Sequence, residues 1–282
     1  MTRSPLPALL LFLLPAIAIC SGSALPAGDG YIGDDACAEC HEDVSAAFHL
    51  TVHATASGWI ETKGCESCHG PGAEHMDSEG EEGMAKPTEL DAGEASATCL
   101  ECHRRQRRQW HFNGNIHSLN DVGCVDCHNP HLTTAFGLRV PSTELCSSCH
   151  IGVAAQFELP RSHPLAPDEG CTRCHDPHGG SPRLAVSFGT DTCTECHFDK
   201  HGPFVFQHDV SVVEGCSACH EVHGTTNRHL LKRERQVNLC YECHPGTTTP
   251  TFHSFPGFLE EKCTACHTAI HGSNTSPFFL EE

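Results

Sequence analysis

Apolar side chains are scarce in this sequence. Leu, Ile, Val and Phe make up about a fifth of the 282 residues, and about 18% after residue 20. That is below the share at which a polar chain of this size supports a packed core. Aromatic residues account for only 6%. A conventional globular enzyme built round a wide apolar interior is therefore not expected. Basic residues are also few, 17 against 36 acids, for a net charge of −19. Nucleic-acid binding needs basic faces, so no such partner is expected. No apolar run reaches the roughly 20 residues that span a bilayer. The longest, Leu9–Ile19, has 11 and contains Pro15. Methionine is nearly missing: beyond Met1 there are only Met76 and Met84. No nucleotide loop, nucleophile elbow or paired-carboxylate signature occurs.

The chain opens with a leader. Arg3, the apolar run and the small residues Ser21, Gly22, Ser23 and Ala24 read as a signal peptide over residues 1–24, with Gly22 and Ala24 suitably placed for cleavage. The mature protein is expected in the periplasm, without a transmembrane helix of its own. Cys20 has two readings, a lipid-modified first residue or a small residue removed with the leader. Ile19 stands where a lipoprotein signal has Gly, Ala or Ser.

The other 20 cysteines all belong to C-x-x-C-H units, and there are ten: Cys37/Cys40/His41, Cys65/Cys68/His69, Cys99/Cys102/His103, Cys124/Cys127/His128, Cys146/Cys149/His150, Cys171/Cys174/His175, Cys193/Cys196/His197, Cys216/Cys219/His220, Cys240/Cys243/His244 and Cys263/Cys266/His267. The unit is the attachment signature of c-type haem. Two thiols on one turn reach the two vinyl groups, and the next residue projects an imidazole at the iron from the same side. Zinc sites and disulfides also use paired cysteines, but neither requires His straight after the second. Ten c-type haems are expected, supplying the missing apolar bulk. The apo chain should then have no stable fold.

The repeat is two motifs long. Cys99, Cys146, Cys193 and Cys240 follow one another at steps of 47, and Cys65, Cys124, Cys171, Cys216 and Cys263 at 59, 47, 45 and 47. Such a period means one unit repeated along a line. The expectation is an elongated array of five di-haem modules, over residues 31–94, 95–140, 141–189, 190–235 and 236–282. Gly, Pro, Asn and Asp between the motifs predict short helices at C-x-x-C-H, irregular chain elsewhere and little or no β-sheet. Residues 76–94 hold seven acids and one Lys and read as a mobile acidic surface loop.

The sixth ligand separates electron carriers from enzymes. With Met76 and Met84 both in the acidic loop, His must close the irons. Each second motif is preceded by a His (His53, His117, His163, His208, His253) and followed by another (His75, His131, His178, His223, His271), ten candidates for ten irons. Ligands on opposite faces of one haem need Cα atoms about 12 Å apart, while three residues reach at most about 11 Å. His131, His178 and His223 should therefore serve a neighbouring haem. His49, His111, His201 and His229 are left over, as surface or propionate-bonding imidazoles or as substitutes for His53, His117, His208 and His223. Arg104, Arg105, Arg107 and Arg108 read as a solvated turn, propionate partners or a docking patch. A closed set of irons makes an electron carrier and argues against a multihaem reductase.

The segments "GCESCHGPGAEH", "GCVDCHNPH", "GCTRCHDPHGG" and "DKHGPFVFQHDVSVVEGCSACHEVHG", within "YIGDDACAECH" to "CTACHTAIHGS", resemble the periplasmic decahaem cytochromes of the MtrA/DmsE family over about 240 residues. The resemblance implies bis-His electron carriers, several of which sit inside an outer-membrane β-barrel porin and exchange electrons with periplasmic and extracellular multihaem cytochromes. It supports His53, His117, His163, His208, His75, His131, His178 and His223 as distal ligands, and leaves His201 spare. The acidic loop and the short tail after His271 depart from the family. Two functions follow: a conduit between periplasm and cell exterior, or a soluble periplasmic shuttle feeding a partner reductase.

Overall fold

The computed structural model describes residues 30–56, 64–106, 109–165, 170–179, 191–245, 253 and 262–280. The leader, Cys20, Arg107, Arg108 and the 189/190 module boundary lie outside them.

Each C-x-x-C-H makes one helical turn. In nine motifs the His amide donates to the first Cys carbonyl at 2.9–3.1 Å, and in the third the turn lies inside helix Ala92–His103. At 3.6 residues per turn, positions i, i+3 and i+4 share one face, so both sulfurs and the imidazole project together. The odd-numbered motifs grow from preceding helices: Asp34–Ala38, Ala92–His103, Ser142–Ser147, Asp191–Thr194 and Gln236–Tyr241. The even-numbered ones are single turns: Glu66–His69, Cys124–Cys127, and the 3-10 turns Gly170–Arg173, Cys216–Ala218 and Cys263–Ala265. Helices are short because Gly and Pro interrupt the chain and no wide apolar stripe stabilises longer ones. Among the described residues the sheet is one two-residue pair, β1 (Arg161–Ser162) antiparallel to β2 (Gly224–Thr225), with Arg161 opposite Thr225 and Ser162 opposite Gly224.

Side chains stitch the first, third and ninth motifs to the even motif that follows each. Asp34 accepts from the Cys65 amide at 2.7 Å, Ser96 from the Cys124 amide at 3.1 Å, and Gln236 from Thr264 Oγ1 at 2.9 Å. Glu66, buried inside the second motif, accepts from the amides of Ile32, Gly33 and Gly72 at 3.0, 2.9 and 2.8 Å, so its carboxylate is satisfied by backbone.

A second set of contacts joins the stretch before one even motif to the stretch after the next. Asn115 Nδ2 and His117 Nδ1 donate to the Pro177 carbonyl at 3.0 and 3.2 Å. The His163 amide donates to the His223 carbonyl at 3.0 Å, beside β1 and β2. Phe206 and Ser273 exchange amide bonds of 2.8 and 2.9 Å, and the Val205 amide reaches Asn274 Oδ1 at 3.0 Å. In the first such clasp the Phe48 ring meets His131 edge-on, centroids 6.2 Å apart. A glycine follows His178, His223 and His271 because the partner segment leaves no room: a Cβ there would strike Asn115, the Gln156 carbonyl or the Phe204 ring respectively.

Among the described residues no continuous apolar core is present, and the buried apolar side chains are Ala95, Leu100, Phe112 and Val237.

Candidate haem sites

The fold sets the His of each of the ten motifs opposite one other His, at ring angles from near-parallel to nearly perpendicular. Ring centroids are 6.0 Å apart for His53–His103, His69–His131 and His128–His178, and 6.1 Å for His117–His150 and His175–His223. They are 6.2 Å apart for His41–His75, His163–His197, His208–His244 and His253–His267, and 6.3 Å for His220–His271. Two imidazoles bound through Nε2 to one metal ion at about 2 Å each have ring centres roughly 6 Å apart. The ring spacing of each pair therefore fits an iron held between the two imidazoles. All ten second partners belong to the set that the two-motif period selects. His49, His111, His201 and His229 face no other His ring among the described residues; His111 stacks on Trp110 at 6.1 Å.

The pairing follows a rule. The odd-motif His103, His150, His197 and His244 meet a His that precedes the motif before their own. The even-motif His69, His128, His175 and His220 meet a His that follows the next even motif. Only the ends pair locally, His41 with His75 and His267 with His253. Each clasp thus presents two imidazoles to the His of two different motifs: His53 with His131, His117 with His178, His163 with His223, and His208 with His271.

Backbone carbonyls fix the tautomers. Nδ1 donates to Ala85 from His69 (2.8 Å), to Phe136 from His128 (2.9 Å), to His229 from His220 (2.8 Å) and to Phe278 from His267 (2.6 Å). It does so to Glu82 from His75 at 3.1 Å and to Pro164 from His163 at 2.9 Å. A carbonyl only accepts, so the proton is on Nδ1 and the Nε2 lone pair is left for metal. Partial burial holds the imidazoles of His53, His131, His175, His208, His223 and His271 below the ordinary His range, which keeps them neutral.

Two of these carbonyls belong to the acidic loop. Far from being a free loop, residues 76–94 fold back on the site: the Ala85 carbonyl accepts from His69 Nδ1 and the Ala85 amide donates to the His69 carbonyl at 3.1 Å, while the Glu82 carbonyl accepts from His75 Nδ1. Acidity alone did not reveal this, because the contacts are made by backbone. Glu66 and the carbonyl of Pro177 were equally invisible in the sequence. The glycine after three distal candidates was the one available signal.

The twenty described cysteines form no disulfide. First cysteines of odd–even pairs lie within hydrogen-bond reach of one another: Cys37 and Cys65, Cys99 and Cys124, Cys146 and Cys171, Cys193 and Cys216, Cys240 and Cys263. Burial pushes the Cys65 thiol up to about 12 and that of Cys146 up to about 11. Hydrogen bonds from Cys99 and Cys193 instead lower the Cys124 and Cys216 thiols to about 6.

The two sulfurs of a motif are not equally covered. The first cysteine of all ten is half-buried, whereas Cys40, Cys68, Cys102, Cys149, Cys174, Cys196, Cys243 and Cys266 are exposed. The reason is local. The first thiol abuts the first thiol of the paired motif, and the second stands three residues on, at the open end of the turn. Cys127 and Cys219 depart from this and are half-buried. There the following chain folds back, the Arg139 amide donating to the Cys127 carbonyl at 3.0 Å and the Lys232 amide to the Cys219 carbonyl at 2.9 Å. In the first, fifth, seventh and ninth motifs the proximal imidazoles of His41, His150, His197 and His244 are exposed as well. The polypeptide thus covers each site from the side of the first sulfur.

The family described as "Doubled CXXCH motif" matches residues 117–155, 163–202 and 208–249. The multihaem cytochrome MtrA of Shewanella baltica is 32% identical over 268 residues, 86% of this chain and 79% of that protein. The chain belongs to the MtrA-like multihaem cytochromes. A C-type polyhaem cytochrome of Geobacter sulfurreducens, OmcC, is 29% identical over 140 residues, 47% of this chain but only 16% of OmcC. The C-x-x-C-H pairs of this multihaem cytochrome are c-type haem motifs, on short helices with hardly any sheet among the described residues. Each doubled segment begins at a clasp residue (His117, His163 or His208) and holds an even motif and the odd one after it. The thiol contacts pair motifs in the opposite phase, odd with following even.

Proposed function

We propose that this multihaem cytochrome carries ten covalent haems, each iron closed by two His, and that it relays electrons between periplasm and cell exterior within an outer-membrane β-barrel porin. Proximal ligands are His41, His69, His103, His128, His150, His175, His197, His220, His244 and His267. Distal ligands are His75, His131, His53, His178, His117, His223, His163, His271, His208 and His253, in the same order. The observation that carries this reading is the set of ten ring pairs at 6.0–6.3 Å, each holding one motif His. Haem iron, when bound, supplies reversible one-electron chemistry with no substrate position left open. The residues tether through thioethers, orient through Nδ1 bonds and lock neighbouring modules through the clasps. Each motif is linked to the next, alternately by thiol contact and by clasp, so the chain offers a continuous path. Nine gaps on the order of 10 Å exceed a bilayer of about 40–45 Å with its headgroups. So polar a chain cannot face lipid, and a sheath is needed. No helix among the described residues is long and apolar enough to cross a membrane.

The test reconstitutes the protein and a candidate barrel into liposomes, with a reduced dye inside and an impermeant oxidant outside. Transfer should need both proteins. It should collapse when Cys146 and Cys149 are replaced by Ala, which removes the fifth haem, and persist in His229→Ala. Transfer by the barrel alone, or no association with any outer-membrane protein, would leave the soluble periplasmic shuttle as the function.

A further inference from the structure

The ten ring pairs differ in the angle between their planes, and the difference follows the chain. The pairs on His103, His150 and His197, in the third, fifth and seventh motifs, are crossed at 73°, 63° and 75°. Those on the even-motif His69, His128, His175 and His220 lie at 9°, 18°, 36° and 16°, and the end pairs at 16° and 39°. The ninth motif breaks the alternation. His208 reaches His244 from a clasp, as His53, His117 and His163 reach their partners, yet its pair is only 15° from parallel. One neighbour sets that site apart. The Phe279 ring lies against His208, centroids 5.4 Å apart at 60°. Among the described residues no phenylalanine ring meets His53, His117 or His163.

The backbone points the same way. After the fourth, eighth and tenth motifs the chain turns back, and one carbonyl accepts from an amide just past the proximal His: Gly137 from Asn129 at 2.8 Å, Leu230 from Glu221 at 2.6 Å and Phe279 from Ala269 at 3.0 Å. All three residues have a left-handed φ, +63°, +54° and +57°. Glycine adopts it freely; a bulky side chain does so at a cost. A phenylalanine kept there is kept for what its ring touches.

Resting on the bis-His reading, we propose that Phe279 is a positioning residue for the ninth haem, the one tethered by Cys240 and Cys243: its ring holds the His208 imidazole near-parallel to that of His244 and so makes this haem harder to reduce than the crossed ones. The torsion that turns an imidazole about its Cβ–Cγ bond is broad, so neighbours set the plane. Each bound imidazole donates π density to the iron d orbital that lies across its ring plane. With parallel rings both donate to one orbital and raise it. The single vacancy of low-spin ferric iron settles there, and the ferric state is stabilised. Crossed rings share their donation between two orbitals, which stay nearly level, and that stabilisation is lost. Ferrous iron has both orbitals filled, so the difference falls on the ferric side. Reduction adds one electron at the iron, with no bond made or broken and no proton moved. The third, fifth and seventh haems are thereby the easier to reduce, and Phe279 keeps the ninth out of their class.

The experiment uses the full holoprotein, oxidised and frozen for EPR, with haem count by intact mass and potentials by spectroelectrochemical titration. Crossed centres give one isolated feature at large g, while near-parallel centres give three resolved features. The unmodified protein should hold about three of its ten ferric centres in the large-g class. Phe279→Gly gives this turn the residue found at Gly137, and Phe279→Leu the residue found at Leu230. In both, the large-g class should grow by about a third, to four centres, and one component of the titration should move upward. Phe279→Tyr keeps the ring and should change neither. An unchanged large-g class in both Phe279→Gly and Phe279→Leu, with ten low-spin haems intact, overturns the proposal. An equal gain in Phe279→Tyr overturns it too, because the ring would then not be what holds His208. Fewer than ten haems, or high-spin iron in the unmodified protein, instead brings down the bis-His reading beneath it.

Discussion

An imidazole can bind iron only while neutral, and protons compete for the same lone pair. The six distal or proximal His that burial depresses have folded pKa values below the roughly 6.5 of an unfolded chain. A depressed His gives stability that is complete above the unfolded value and is lost as pH falls through the folded one. The visible spectrum should therefore stay low-spin from neutral pH upward. High-spin iron should grow in acid, without haem loss because the thioethers persist. A pH titration of absorption checks this; a transition confined to the alkaline side would contradict it. The choice of partner is also testable at single residues. His131→Ala should open the iron on His69, which lies 6.0 Å away, and not that on His128 three residues earlier. In a Cys65→Ala/Cys68→Ala background the same change should then add no further high-spin signal. That the ten partner residues could be picked from a two-motif period, yet not matched to their irons, has a plain cause. Spacing along the chain shows which His recur. It does not show that His117 crosses to the Pro177 turn, because that contact is held by a carbonyl. Nor does it separate Cys37 from Cys40 in exposure, since what covers the first is a thiol from another motif.

Clasps are the elements on which this fold depends. Three of the four join segments about 60–69 residues apart through a few hydrogen bonds and one glycine where the segments nearly touch, and the first brings Phe48 to His131. Gly224 is the tightest of them, set against the Gln156 carbonyl. Gly224→Val should cost about 1–3 kcal/mol through overpacking, seen as a lower melting temperature. It should also loosen two irons at once, those paired by His163 and His223. Gly152, within helix Ile151–Phe157, has open space where a Cβ would stand. Gly152→Ala should be neutral or stabilising by about 0.5–1 kcal/mol. Short helices and the near absence of sheet were legible from Gly, Pro and the motif spacing. The clasps were not, since β1, β2 and their relatives are too brief to leave any periodic pattern.

For the molecule as a whole, the scarcity of buried apolar side chains means that the haems themselves must supply the interior. The mature holoprotein should exceed its polypeptide mass by ten haems, about 6 kDa; an excess of eight or fewer would refute the count. Charge is also unevenly spread. Residues 31–94 carry fifteen acids against two lysines, so most of the net −19 sits on the first two motifs and their loop. The two phases of pairing, thiol contacts within one set of motif pairs and clasps across the other, have a consequence for manufacture. A chain that leaves the export machinery with one haem missing does not merely carry a gap. The imidazole meant for that iron goes unclaimed, the clasp that holds it slackens, and a second, correctly loaded iron in the next module loses its support. Incompleteness at any one station would thus be felt at its neighbour.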